Sequence, residues 1–243
     1  MKAIILAAGQ GMRLNDVIHF PKCLINIGDK TILEHQIKAL KECDICEIFL
    51  VIGTKGYVWS QESYESIKEI CKKERIEIVF NFDNDKTQNT YSLFLAMKEI
   101  EKTSFLSIDG DVFCNRDVIS FACESLYDAA LVCKRTDDIS KHGTHVIVDK
   151  NNKIIDIGKE KDVVPSTPFW YMHHGITKIS ASHFDRFKEI IAKEEYRPFD
   201  LSRPYKEFSE KYELYVLEKN QGWVNVNTPE DLKEAEHLWK ELK

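Results

Sequence analysis

The sequence predicts an α/β protein with a mixed, mostly parallel central sheet, helices on both faces and a small antiparallel lobe in the second half. Three observations predict it. Short apolar runs of strand length alternate with helix-length stripes through residue 133. The first run, Ala3 to Leu6, feeds a small-residue loop (Ala7 to Gly11) followed by Arg13 and Lys22. That is how a buried parallel strand delivers the chain to a ligand-binding edge. Beyond residue 140 the pattern changes to a hairpin and a long extended stretch, an antiparallel signature.

Taken in order, TILEHQIKALKEC sets Ile32, Leu33, Ile37 and Leu40 on one helical face. EIFLVIG (47–53) reads as a buried strand closed by glycine, 60–73 as a polar helix and IEIVF (76–80) as a strand. NTYSLFLAMKEI opens a helix with Asn89 or Thr90 as N-cap. SFLSI (104–108) is a strand ending at Asp109-Gly110-Asp111, 117–126 a helix and AALVC (129–133) a strand. HVIVD-KNN-KIIDI (145–157) is a hairpin turning at Asn151-Asn152, and WYMHHGITKIS (170–180) is extended. A helix (181–193) and a Pro-bounded segment (198–210) precede the short strands ELYVLE and GWVNV. The last helix has Thr228 as N-cap, Pro229 at its first position and acids in its first turn. With no repeat or linker, the 243 residues predict one domain: a core of about 1–135 and 211–243, and a lobe of about 136–210.

Composition narrows the function. A net charge of -6 argues against a nucleic-acid surface, which needs a concentrated basic face. Local cations can still hold a small polyanion, so Arg13 and Lys22 keep their interest. No stretch is long enough to span a membrane. Seven scattered cysteines without a secretory signal predict reduced thiols and a cytoplasmic location. Cys43 and Cys46 have C-x-x-C spacing, but no second pair stands at ligand distance, so packing explains them.

Several residue groups can carry chemistry. The glycine loop lacks the third glycine of a dinucleotide fingerprint, having Leu14 there, and lacks the Gly-Lys-Ser/Thr of a Walker loop. The amides around Ala8 to Gly11 can still cradle a phosphate-bearing ligand, with Arg13 and Lys22 balancing its charge. Asp109 and Asp111, just past a buried strand, suit a hard cation such as Mg2+, or else a self-capped Asp-Gly turn. Asn89 to Leu93 can read a polar ligand group or simply cap a helix. Lys159 can meet a phosphate or stay solvated. Phe169, Trp170 and Tyr171 in a row can cage a quaternary ammonium or belong to the core.

The motifs LAAGQGMRL and FPKCLINIGDKTILEHQI resemble the N-terminal signature of the nucleotidyltransferases that make nucleotide-activated sugars and alcohols. NTYSLFLA, IDIGKE, HHGITKIS and GWVNVNTPEDLKEAE resemble most the bacterial phosphocholine, archaeal inositol-phosphate and phosphonate cytidylyltransferases. The resemblance implies a Rossmann-like, GT-A-type fold and a reaction in which CTP, or another NTP, and a small phosphorylated acceptor give a nucleotide-linked product and pyrophosphate. It implies nucleotide contacts from Leu6, Ala7, Ala8, Gly9 and Gly11, and from Asn89, Ser92 and Asp109. Arg13 is expected on the leaving pyrophosphate, Lys22 on the α-phosphate and Lys159 on the acceptor phosphate. Mg2+ is the implied cofactor, held at Asp111. Relatives usually carry acids at the two positions occupied here by Asn225 and Asn227, so those two complete the expected metal set in altered form. The N-x-N-T-P-E pattern is similar to the molybdenum-cofactor guanylyltransferase, although Pro21 stands where those shorter enzymes have Asp. A sugar-1-phosphate enzyme and a catalytically weakened nucleotide-binding module are the alternatives. The charge and the lack of a spanning stretch predict no nucleic-acid or membrane partner, and a homodimer stays open.

Overall fold

Strand β1 (Lys2–Leu6) lies at the middle of the protein, with every residue after the first buried. It pairs in parallel with β4 (Ile48–Gly53) on one side and β6 (Phe105–Asp109) on the other. β5 (Glu77–Asn81) adds in parallel to β4 and closes that edge. All six residues of β4 are buried, the physical reason that its sequence is a continuous apolar run. The computed structural model describes residues 1–10, 18–137, 143–159, 163 and 170–242.

Alternation along β1 builds a separate core on each face of the sheet. Ala3, Ile5 and Ala7 pack with α1 (Ile32–Lys41), α2 (Gln61–Glu74) and α4 (Arg116–Glu124). Ile4, Leu6 and Ala8 pack with α3 (Asn89–Glu99), α5 (Phe184–Ile191) and α6 (Ser202–Lys211). Each fully buried large side chain, such as Phe105 or Phe187, contributes about 1.5–3 kcal/mol through burial. A third cluster joins Ile27, Phe113, Val224 and Val226 to the last helix, α7 (Pro229–Glu241).

The helix starts follow their caps. Thr31 and Glu34 form a capping box at α1, and Ser60 accepts from the Ser63 amide at α2. Thr228 and Asp231 form the box at α7, with Pro229 at its first turn, as the sequence predicts. The cap of α3 differs from expectation. Gln88 is its N-cap residue, with no side-chain cap, and Asn89 already lies in the helix. Asn89 is drawn instead into tertiary bonds described below.

The second half adds antiparallel strands to the same sheet. β11 (Trp170–Ile179) is antiparallel to β6, to β9 (Thr144–Val148) and to β8 (Ala129–Thr136). β10 (Ile154–Lys159) pairs with β9 in the predicted hairpin, and β12 (Tyr215–Glu218) runs parallel to β8. Among the described residues the sheet has nine strands, of which only β11 and β10 run against the rest. β8 therefore does not sit beside β6: β11 is wedged between them. Two small antiparallel pairs complete the fold, β2 (Asn26–Ile27) with β3 (Lys30–Thr31) and β7 (Val112–Cys114) with β13 (Trp223–Asn225). The segment 198–210, unassigned from sequence, holds α6. No helix among the described residues is long and apolar enough to cross a membrane.

Candidate active site

The C-terminal ends of β1, β5 and β6 line a two-part cleft, where a parallel sheet is expected to bind ligands. The first chamber, of about 720 Å³, is lined by Leu6, Ala7, Ala8, Gly9, Lys22, Asn89, Ser92, Asp109, Asp111 and Lys159, among others. The second, of about 380 Å³, shares Asn89, Asp109, Asp111 and Lys159 and adds Asn225 and Asn227. The structure thus gathers ten residues expected from sequence around one chamber and the remaining two described ones around its neighbour. Gly11 and Arg13 lie outside the described residues. The volumes are those of small-molecule sites.

The loop after β1 is held from below. The Ala7 amide donates to Val51 O at 2.8 Å, and the Gly110 amide to Leu6 O at 2.8 Å. A Cβ on Gly110 would come within 2.7 Å of Ala7 Cβ, so the two backbones approach only because both residues are small. Asn84, which sequence reading passed over, ties this loop to the end of β4. Its Oδ1 accepts from the Thr54 and Lys55 amides at 3.0 and 2.9 Å, and its Nδ2 donates to Ala8 O at 3.3 Å. Asn81 donates to Thr87 Oγ1 and Ser92 Oγ, each at 3.0 Å, and so places Ser92 on the chamber wall.

The acidic turn is fixed by α1. Gln36 is fully buried, and its Nε2 donates to Asp109 O at 2.8 Å and Val112 O at 2.7 Å. In sequence this residue is one polar interruption of a helical stripe. In the fold it pins both ends of Asp109-Gly110-Asp111. Asn89 reaches across, its Nδ2 donating to Asp109 Oδ1 at 3.4 Å while its Oδ1 accepts from the Leu201 amide at 3.2 Å. Burial, then the charge of Asp111, push the Asp109 carboxyl up to about 7.

Asp111 is clamped on both oxygens. Lys22 Nζ donates to Oδ2 at 2.9 Å and also to Asn227 Oδ1 at 2.6 Å. Asn225 Nδ2 donates to Asp111 Oδ1 at 3.0 Å and to His174 O at 3.2 Å. The Lys22 and Asp111 side chains are 13% and 21% exposed, half in the wall and half in the cleft. Asn225 presents its amide NH2 to Asp111, whereas a metal ligand must present an oxygen, and the two acceptors around that NH2 fix its orientation. Both asparagines therefore support Asp111 and Lys22 in this arrangement. The donor set still suits a hard cation, since Asp111 and the neighbouring carboxyl of Asp109 offer oxygen only. Among the described residues no three His, Cys, Asp or Glu side chains form a self-sufficient metal centre. A Mg2+ ion would draw its other ligands from phosphate oxygens and water.

A bulge in β11 makes room for Asp109. The register between β11 and β8 shifts between His173 and Ile176, and Gly175 has φ +97°. A Cβ there would lie 2.5 Å from Asp109 Cγ. Gly175→Ala is expected to cost about 1–3 kcal/mol through backbone strain and this collision. Urea unfolding checks it, and an unchanged midpoint would mean the bulge carries no such constraint.

Lys159, at the end of β10, is exposed but paired. Its Nζ pairs with Asp200 Oδ2 at 2.6 Å and donates to Thr144 Oγ1 at 3.2 Å. Burial pushes the Asp200 carboxyl up, but the charge and hydrogen bond of Lys159 and the bonds from Ser202 outweigh it and hold it below the usual range. Asp200 gave no signal in sequence, standing alone after Pro198 and Phe199. His173 is buried, its Nδ1 donates to Val132 O at 3.2 Å, and burial drives it down to about 3, so it stays neutral. Trp170 and Tyr171 are buried, and Tyr171 donates to Glu218 Oε2 at 3.0 Å. Neither lines the cleft, so of the two readings the core role fits them and the ammonium cage does not, and Phe169 lies outside the described residues. Burial pushes Cys23 on the chamber wall up to about 12, which leaves it an inert thiol. Cys43 donates to Arg116 O at 3.7 Å, a packing contact.

The chain is similar to several known proteins. The Drosophila melanogaster mannose-1-phosphate guanylyltransferase catalytic subunit beta is 24% identical over 238 residues, covering 95% of this chain and 60% of that protein. A choline-phosphate cytidylyltransferase of Streptococcus pneumoniae is 35% identical over 116 residues, covering 47% of each. The chain spans about half to three fifths of the length of the curated relatives it matches. The structure of the inositol-1-phosphate CTP transferase from T. maritima superposes with a TM-score of 0.78 at 21% identity, covering 98% of this chain and 95% of that one, which shows a shared fold. The model of the MobA-like NTP transferase domain matches residues 3–188. With that match over most of its length and a cleft at the expected sheet edge, the chain belongs to the MobA-like NTP transferase family of nucleotidyltransferases.

Proposed function

We propose that the protein is a Mg2+-dependent cytidylyltransferase that couples CTP to a small phosphate monoester or phosphonate and releases pyrophosphate. The observation that carries this reading is Lys22, which lines the first chamber and is held by Asp111, shared by both chambers, and by Asn227, which lines the second. A cation there stands on the nucleotide side, tied to the wall of the acceptor side. The whole chain acts as one nucleotidyltransferase domain, with residues of about 136–210 supplying the acceptor side. Cytosine rather than another base is supported by the cytidylyltransferases among its relatives and fold neighbours. All seven cysteines are free thiols, which supports a reducing, cytoplasmic setting.

The chemistry follows from charge. A phosphate monoester, with a second pKa of about 6, is largely dianionic at neutral pH and needs no general base. The difficulty is bringing two anions together, and phosphoryl transfer is answered mainly by positioning and charge neutralisation. The amides and small side chains of Leu6 to Gly9 bound the nucleotide, and Asn89 and Ser92 meet its polar groups. Lys22 neutralises the α-phosphate, and Lys159 holds the acceptor phosphate. An acceptor oxygen attacks the α-phosphorus in line, forming one P–O bond as the bond to the β-phosphate bridging oxygen breaks. Its electron pair leaves with pyrophosphate, for which Arg13 is the assigned contact by resemblance. Mg2+, held by Asp111 and the nucleotide phosphates, supplies further neutralising charge when bound. Asn225 and Asn227 keep Asp111 and Lys22 in place for this.

Pyrophosphate release, measured with all four NTPs, Mg2+ and a panel of phosphate monoesters and phosphonates, tests the proposal. CTP-dependent release with at least one acceptor is expected. GTP-dependent release with a sugar 1-phosphate would favour the second reading, which the guanylyltransferase match over 95% of the chain supports. CTP binding without any product would overturn catalysis and leave a nucleotide-binding module.

A further inference from the structure

We propose that Asp200 reads a proton-donating substituent on the acceptor, a hydroxyl or a primary ammonium, while Lys159 takes its phosphate. The inference rests on the acceptor reading above and adds the class of acceptor. Lys159 and Asp200 both line both chambers, so the pair stands at the seam between nucleotide and acceptor. The two oxygens of Asp200 are not equivalent. Oδ1 accepts from the Ser202 amide at 3.0 Å and from Ser202 Oγ, which locks the carboxylate on the start of α6. Oδ2 faces Lys159 Nζ at 2.6 Å.

An incoming dianionic phosphate competes with this carboxylate for the Lys159 ammonium. As the ammonium turns toward phosphate, Oδ2 is left as an ionised acceptor in a side chain only 22% exposed. A charge in such a place requires a new donor. The acceptor molecule is the group that arrives with the phosphate, and it must bring the donor. A hydroxyl or a primary ammonium supplies an N–H or O–H, whereas a trimethylammonium supplies charge but no proton.

Geometry narrows the class further. A phosphate oxygen sits about 2.8 Å from an ammonium it pairs with. Added to the 2.6 Å of the Lys159–Asp200 pair, that puts the phosphate oxygen no more than about 5.4 Å from Oδ2 as it first meets the paired ammonium. The donor therefore belongs on a carbon close to the ester or phosphonate, as in a 2-aminoethyl group or a vicinal diol. The surrounding wall is polar in the same sense, with Thr144, Ser202 and His174 all lining the second chamber.

The test uses the full chain with CTP and Mg2+ and compares ethanolamine phosphate, glycerol 3-phosphate and phosphocholine. Acceptor affinity is measured by calorimetry with a non-hydrolysable CTP analogue, and turnover by pyrophosphate release. The wild type is expected to bind ethanolamine phosphate or glycerol 3-phosphate at least about tenfold more tightly than phosphocholine. D200N is expected to lose about 10- to 100-fold toward ethanolamine phosphate and less toward glycerol 3-phosphate, since an amide oxygen still accepts from a hydroxyl. D200E keeps the charge and serves as the control for a general loss of folding. Phosphocholine bound as tightly as the other two, or a preference unchanged in D200N, would overturn the inference, as would no binding of any of the three. The parent reading fails differently, as an absence of pyrophosphate with every acceptor despite binding.

Discussion

Replacing Lys22 by alanine is expected to lower turnover by roughly 10²–10³-fold, the loss typical of removing one preorganised donor from a developing anion. The size follows from position. The Lys22 ammonium is 13% exposed and already oriented by Asp111 at 2.9 Å and Asn227 at 2.6 Å, so it is spent on no reorganisation when phosphate arrives. Its removal leaves the Asp111 carboxylate, in a side chain 21% exposed, with Asn225 as its remaining donor, so folding stability is expected to fall by about 1–3 kcal/mol. Lys22→Arg should restore only part of the rate, because a planar fork cannot replace a point charge seated between two fixed oxygens. Steady-state kinetics together with urea unfolding separates the two effects. Turnover near the wild-type rate in the alanine variant would remove Lys22 from the mechanism.

Asp111→Asn is expected to reduce turnover by more than about 100-fold, beyond the 10- to 100-fold typical of residues that only support a metal ligand. It removes the charge that Lys22 and Asn225 both address. It has a second, separable signature in pH. Asp109 has an ordinary carboxyl value of 3.8 and is pushed up to about 7 by burial and by Asp111. Between those values the folded protein holds a proton that the unfolded chain has lost, so stability falls as pH rises from about 4 through 7. Removing the Asp111 charge leaves burial, the larger cause, and should shrink that fall without abolishing it. Urea midpoints at pH 5 and pH 8 for both proteins measure the difference. An identical fall in the two would mean that Asp111 does not act on Asp109.

Much of the cleft is legible in sequence because its parts are chemically conspicuous. Glycines and alanines after a buried strand, a lysine behind a proline and two aspartates flanking a glycine each break an otherwise ordinary pattern. Gln36, Asn84 and Asp200 break none. A glutamine in a helical stripe and an asparagine or aspartate in a polar loop look like solvated residues until the fold carries them to the turn, the loop and the lysine they hold. Asn89 shows the opposite case. A polar residue at a helix start reads as a cap, yet its side chain joins Asp109 to Leu201 instead.

Near neighbours in the chain decide what the sequence determines alone. An unbroken apolar run made β1 a buried strand with a core on each face, and the Thr31 and Thr228 boxes marked where α1 and α7 begin. The small-residue loop after β1, its lysine and the acidic turn belong to the same level. The tertiary structure decided the rest: the wedging of β11 between β6 and β8, the Gly175 bulge that admits Asp109, and the pairing of Lys159 with Asp200. Those features depend on strand order and register among distant segments. Local periodicity is the same whichever neighbour a strand finally meets, so only packing of the whole chain selects it.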